Sequence, residues 1–279
     1  MGIELSVLYV NLGDVSSKRN MKFESASERS IFSTIRIETR VSSEDSFIAG
    51  TAFVYEFNTE ENTYPFLVTV RHLIENAVEG RLTLMQGRNS DSILGKAYTL
   101  DIENFKKLWF CHPDDSLNIA VTPFVPFVRH VENAGIDIFY EAYNHTTVYD
   151  RQEYKSLNMG EEVLYLGYPD NCWDEKYLLP VFRQGVLSLP FWMNYQGRAQ
   201  GLVDTPLIAG SSGSPVFVKS KFNNLGIEGS LLGVLSKISP VNTLPLPTEN
   251  EVFSPMGTII KMNVALEAIT AYLQDKGFI

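Results

Sequence analysis

The run Gly210-Ser211-Ser212-Gly213-Ser214-Pro215-Val216-Phe217 sets a serine in a glycine-flanked turn just before an apolar strand. A hydroxyl that attacks a carbonyl needs small neighbours so that substrate can approach. It also needs backbone N–H groups of the same turn to meet the oxyanion that forms. Gly210 and Gly213 supply the backbone freedom, and Pro215 fixes the exit. Taken alone, the run reads first of all as an ordinary Gly/Ser turn. A second chemistry-bearing residue stands far upstream, where the apolar segment Tyr64-Pro65-Phe66-Leu67-Val68-Thr69-Val70-Arg71 leads into His72, one of four histidines. An imidazole at a strand end is rigid yet reachable, which is what a general base for a serine requires. A lone histidine also serves simply as a structural residue, but this one precedes the candidate nucleophile in a chain order that Ser-His catalysis uses. His112, His130 and His145 follow no comparable strand and read as surface or loop residues.

The elements that must position these side chains read as strands. Before residue 125, β-branched and aromatic runs near 32–39, 50–57, 65–71, 81–86, 96–102 and 117–123 are separated by Gly, Asn, Asp or Pro. After residue 160, similar runs fall at 162–168, 180–189, 199–204, 214–219, 231–237 and 256–262. The count predicts an all-β fold of two six-stranded antiparallel barrels, with His72 on one and Ser212 on the other across a cleft. The expected organisation is an N-terminal extension at 1–29, a first barrel at 30–125, a linker at 126–160 and a second barrel at 161–279. Met262, Leu266, Ile269 and Leu273 form one apolar stripe of a C-terminal helix that Gly277 stops, and the helix is expected to pack on the second barrel. The linker holds Pro126, Gly135 and the aromatic run Phe139-Tyr140-Glu141-Ala142-Tyr143, and residues 240–255 read as a Pro/Asn/Thr-rich loop.

In order along the chain, Gly50-Thr51-Ala52-Phe53, Leu67-Val68-Thr69-Val70-Arg71-His72, Leu117-Asn118-Ile119-Ala120-Val121 and Gly210-Ser211-Ser212-Gly213-Ser214-Pro215 resemble the chymotrypsin/trypsin-like serine peptidases, in their bacterial form. Leu166-Gly167-Tyr168-Pro169-Asp170 and Leu179-Pro180-Val181-Phe182-Arg183-Gln184-Gly185 resemble the opening of the second barrel in such proteins. The resemblance spans roughly residues 30 to 275. It implies a chymotrypsin-like double barrel that cleaves a protein or peptide substrate. Ser212 would be the nucleophile and His72 the general base, with the N–H groups of Gly210 and Ser212 as the oxyanion hole. Ser236 matches the serine beside the third triad member. Ser236, Lys237 and Ile238 would form the edge on which a peptide pairs as an added strand. Thr205-Pro206-Leu207 would shape the base of the primary pocket. No buried acid lies there, so a small or apolar side chain is expected before the scissile bond.

The chain departs from the family at the third triad position, where Asn118 stands in place of an aspartate. A carboxylate there accepts the Nδ1–H of the histidine. The amide substitution in a serine protease of this type preserves the geometry but lowers kcat by about 10⁴-fold through the wrong tautomer. Three readings stay open. A His-Asn pair works with a cysteine nucleophile, but residue 212 is serine. Asp114 or Asp115 serves His72 instead. Or the chain turns over weakly or not at all. Ser211 likewise replaces the acid that pairs with a newly cut N-terminus in secreted members, so activation by that route is not expected.

Composition bounds the rest. With 279 residues and 44% hydrophobic residues the chain fills a sizeable core. Two cysteines, Cys111 and Cys172, favour a reducing, cytoplasmic setting over a disulfide framework. Cys111, His112 and Cys172 lack metal-ligand spacing, so neither a metal nor a cofactor is expected. A net charge of −10 argues against nucleic acid as a partner. The N-terminus has no signal-peptide pattern. Met1-Gly2 followed by Ser6 formally matches an acylation pattern too short to carry weight. No apolar run reaches membrane-spanning length, so no membrane association is expected.

Overall fold

The computed structural model describes residues 5–8, 25–43, 45–88, 91–170, 172–206, 208–222, 227–237 and 256–279. The expected loop at 240–255 lies outside the described residues. The first half contains β1 (Leu5–Leu8), the short helix α1 (Ala26–Arg29), β2 (Thr34–Val41), β3 (Ile48–Asn58), β4 (Thr63–Thr69), the single turn α2 (Arg71–Ile74), β5 (Ala77–Arg88), β6 (Asp91–Glu103), β7 (Phe110–Cys111), β8 (Ala120–Pro123) and α3 (Val125–Asn133). The second half contains β9 (Glu162–Gly167), β10 (Val181–Leu187), β11 (Gln200–Asp204), β12 (Pro215–Val218), β13 (Leu231–Lys237), β14 (Met256–Lys261) and α4 (Met262–Asp275).

The strand count predicts two closed barrels, but only one closes. The second half is a closed antiparallel barrel in the order β10-β11-β14-β13-β12-β9, whereas the first is an eight-stranded antiparallel sheet in the order β1-β6-β5-β2-β3-β4-β8-β7. The reason lies in β1 and β7, which go beyond the twelve predicted strands. Leu5–Leu8 pairs with the outer edge of β6 and Phe110–Cys111 with the outer edge of β8. The two edges that closure would join already have partners.

Two helices also differ from expectation. Pro126 lies in the first turn of α3, where a missing N–H costs nothing, so the linker begins with a helix that buries Phe127, Val128 and Val131. Further along the linker, the aromatics order the chain as their composition suggests. The Tyr143 ring sits 5.7 Å from that of Phe53 and 5.5 Å from that of Phe217, bridging the two halves. The stripe of α4 packs not only on the barrel but across the seam. Tyr272 meets Phe66 of β4 at 5.5 Å and Phe110 of β7 at 5.8 Å. The helix follows β14 with no intervening loop, and that fixes its course.

Two large cores result. One joins the first sheet, α3, α4 and outward-facing barrel residues such as Phe217 and Leu231. The other fills the barrel with Val163, Tyr165, Leu187, Val203, Val216 and Ile259. Phe66, 1% exposed, belongs to the first. Truncating it to alanine is expected to cost about 3–5 kcal/mol.

Candidate active site

Ser212 lies in the turn that leads into β12. Gly210 and Gly213 adopt φ of 89° and 91°, the left-handed region open to glycine. A Cβ on Gly213 would stand 1.8 Å from the Thr51 carbonyl oxygen, and one on Gly210 would stand 2.1 Å from that of Tyr168. The turn is clipped to the first half through Thr51 of β3. The Thr51 N–H donates to the Ser212 carbonyl at 2.9 Å, and Thr51 Oγ1 donates to the Gly210 carbonyl at 2.8 Å. Thr51 Oγ1 also accepts the Tyr168 N–H at 3.1 Å, and Thr69 Oγ1 donates to the Thr51 carbonyl at 2.7 Å. From the other side, the Gly213 N–H donates to Leu235 of β13 at 2.8 Å. Among the described residues, the N–H groups of Gly210 and Ser212 and the hydroxyl of Ser212 have no hydrogen-bond partner. The neighbouring hydroxyls of Ser211 and Ser214 are buried and also unpartnered.

His72 rides α2, the single turn that starts two residues after β4 ends, anchored by buried Leu73 and Ile74. Burial, and after it the positive charge of Lys237, push its imidazole down to about 4. The imidazole is therefore neutral at pH 7. Asn118 lies just before β8 and touches His72 twice. Its Oδ1 accepts the His72 backbone N–H at 2.9 Å, and its Nδ2 lies 2.8 Å from His72 Nδ1 and 2.9 Å from Ser236 Oγ.

The sense of that amide decides the tautomer. A backbone N–H only donates, so the atom facing it is the amide oxygen, and the amide nitrogen must face the ring. Nδ1 then accepts, and the ring proton sits on Nε2, the nitrogen a serine base keeps free. No hydrogen bond joins Ser212 to His72 among the described residues. Among the described residues neither Asp114 nor Asp115 hydrogen-bonds or pairs with His72. Asp115 pairs with Arg71 at 2.6 Å, and the Asp114 carboxylate accepts the Ser116 N–H at 2.8 Å. Of the remaining histidines, His112 is more enclosed than a surface residue, its side chain 11% exposed and 3.7 Å from Glu267.

Ser236 and Lys237 end β13, where they pair with Thr258 and Gly257 of β14. Ser236 Oγ accepts from Asn118 and donates to the Lys237 carbonyl at 3.1 Å. Pro206 is exposed, and its carbonyl accepts from Arg183 Nη1 at 3.1 Å. Ile238 and Leu207 lie outside the described residues. Cys111 and Cys172 are unpaired, and among the described residues no group of three or more His, Cys, Asp or Glu could hold a metal. Thr51 and Thr69, which fasten the nucleophile turn, appear in the sequence only as strand-forming residues. Their signal is a threonine at a fully buried strand position, where its hydroxyl needs a partner.

No protein-family model matches the chain, and no curated protein matches it. Solved structures similar to it include a serine endoprotease from Yersinia pestis, 14% identical over 93% of this chain and 69% of that one, with a TM-score of 0.48. A protease from M. tuberculosis in its active form is 10% identical over 86% of this chain and 81% of that one, with a TM-score of 0.42. A catalytically active tobacco etch virus protease complexed with product is 10% identical over 89% of this chain and 82% of that one, with a TM-score of 0.45.

Proposed function

We propose that the chain is a chymotrypsin-like serine endopeptidase held at low turnover by Asn118. Ser212 Oγ attacks the scissile carbonyl, the N–H groups of Gly210 and Ser212 receive the oxyanion, and His72 takes the serine proton. Ser236 to Ile238 take the peptide as an added strand, with Pro206 near the primary pocket. The proposed setting is a reducing compartment, which the unpaired Cys111 and Cys172 suit.

One observation carries this reading: a serine in a turn that only glycines can form, with the N–H groups of Gly210 and Ser212 left unpartnered there. Nothing in the turn's own hydrogen bonding uses those groups. Low turnover follows from the amide. Accepting the serine proton on Nε2 requires the ring proton on Nδ1, and Asn118 presents a donor to Nδ1. An aspartate at 118 would keep one oxygen on the His72 N–H and offer the other to Nδ1–H.

The amide orientation equally favours a second reading, a peptide-binding scaffold with negligible hydrolysis. A fluorophosphonate probe and a peptide library, applied to the chain as given, to Asn118→Asp and to Ser212→Ala, separate the two. The enzyme reading expects labelling of Ser212 and cleavage that Asn118→Asp accelerates and Ser212→Ala abolishes. Folded protein that neither labels nor cleaves in the Asn118→Asp form overturns it, and saturable peptide binding would then remain as the function.

A further inference from the structure

A cleft of about 430 Å³ opens on the flank of the barrel, between the turn at 151–156 and the junction of β14 with α4. Arg151, Lys155 and Lys261 line it together with Tyr154 and Trp192, and no carboxylate does. None of the three cations forms an ion pair among the described residues. The acids beside them in sequence point elsewhere. Asp150 caps the Gln152 N–H at 2.8 Å, and Glu153 pairs with Lys221.

Lys261 is 4% exposed. Its ammonium donates to Asn194 Oδ1 at 2.8 Å and to the Met193 carbonyl at 3.3 Å, and lies 5.5 Å and 5.3 Å from the ring centres of Tyr154 and Phe191. Neutral oxygens and ring faces are its whole compensation, and one of its three N–H bonds is left over. Burial, followed by the charge of Arg151, holds its pKa down to about 8. A buried ammonium with a second cation beside it and no counter-anion is stabilised by an anion that enters the cleft. In a chain of net charge −10, which repels anions at long range, three cations lining one cleft without an acid form a local exception. Trp192, 52% exposed, adds a flat apolar face to the same wall.

We infer that this cleft binds a nucleoside polyphosphate, with the phosphates on Arg151, Lys155 and Lys261 and the base against Trp192. The volume is that of a small-molecule site. Guanidinium and ammonium groups are the usual phosphate partners, and aromatic faces accept bases by stacking. An acidic peptide fits less well, because its carboxylates would spread along an edge rather than converge in a hollow. The site is distant in role from Ser212 and needs no hydrolytic activity, so its test stands apart from the proposed function.

The full chain is titrated with ATP and, separately, with pyrophosphate, followed by calorimetry and tryptophan fluorescence at low and physiological salt. The expected result is saturable one-to-one ATP binding that quenches fluorescence and weakens with salt. Arg151→Ala and Lys155→Ala should each weaken it by about tenfold, the worth of one charge-assisted hydrogen bond. Trp192→Ala should bring ATP down to the affinity of pyrophosphate. Lys261→Met should weaken binding most. If that variant fails to fold, the two exposed cations still decide the matter. Absence of saturable ATP binding, or affinity indifferent to Arg151→Ala and Lys155→Ala in folded protein, overturns the site. Equal affinity of the unaltered chain for ATP and pyrophosphate, or binding of long polyanions only, overturns the nucleoside assignment.

Discussion

The half that carries Ser212 and the half that carries His72 are finished to different degrees. Around Ser212 the backbone is fixed by two left-handed glycines and clipped by Thr51 on one side and Leu235 on the other, with the Gly210 and Ser212 N–H groups left free. Around His72, among the described residues, the Asn118 amide is the one side chain hydrogen-bonded to the ring, and its polarity is the reverse of what the proposed proton acceptor needs. On the proposed mechanism, stabilising an oxyanion and managing a proton are separable tasks, the first served by the turn and the second opposed by the amide.

The largest expected effect comes from repairing the weaker half. Asn118→Asp should raise kcat by up to about 10⁴-fold with little change in KM, because the tautomer matters in the transition state and hardly in ground-state binding. Steady-state kinetics on a cleaved peptide read this out. An unchanged kcat would mean that the two halves do not differ in the way described. Damage to the finished half comes next. Gly213→Ala forces a Cβ onto the Thr51 carbonyl at positive φ and should cost roughly 3 kcal/mol or more of stability in denaturant unfolding. A stability loss under about 1 kcal/mol would show the turn to be adaptable rather than fixed.

The half-buried imidazole gives a pH signature of the first half. The folded pKa of His72 is depressed to about 4, whereas an unfolded histidine titrates near 6.5. The unfolded chain takes up its proton first as pH falls. The contribution of His72 is therefore fully present above about 6.5 and is lost between about 6.5 and about 4, on the order of 3 kcal/mol. Unfolding free energies of the chain and of His72→Gln should converge across that window, and parallel curves would refute the depressed pKa. In Asn118→Asp the carboxylate should raise the His72 pKa and shift the window upward, which NMR titration of the imidazole can follow. The smallest effect tests the clip. Thr51→Val strands the Gly210 carbonyl and the Tyr168 N–H, at a cost of about 1–3 kcal/mol, and should lower kcat in the Asn118→Asp background. A fully active Thr51→Val variant would mean that the turn holds its shape unaided.

Strand positions were legible because alternation and turn residues report local geometry directly, as at 231–237, where the predicted and observed strands coincide. Closure was not legible, since it depends on which edges β1 and β7 occupy, and pairing partners distant in sequence leave no periodic mark. The same division holds at the site. Asn118 is picked out by the resemblance of Leu117-Asn118-Ile119-Ala120-Val121 to a serine-peptidase motif, but the direction of its amide is set by the His72 N–H, a backbone group that no side-chain motif encodes. Lys261 ended what reads as an ordinary strand. Its ammonium acquires meaning only where Tyr154, Phe191 and Arg151 arrive from other segments.

The course of α4 bears on the order in which the chain can become itself during synthesis. Phe66 and Phe110 are made early, yet the ring that covers both, Tyr272, is made 162 residues after Phe110. At ribosomal speeds of roughly 5–20 residues per second the interval is on the order of ten seconds or longer. Until then the first sheet waits with part of its apolar face uncovered, and His72 on the adjoining turn α2 waits with it. A nascent chain therefore cannot close the apolar face over Phe66 and Phe110 until Tyr272 has emerged, and the cleft between the two halves takes its final shape only after that event.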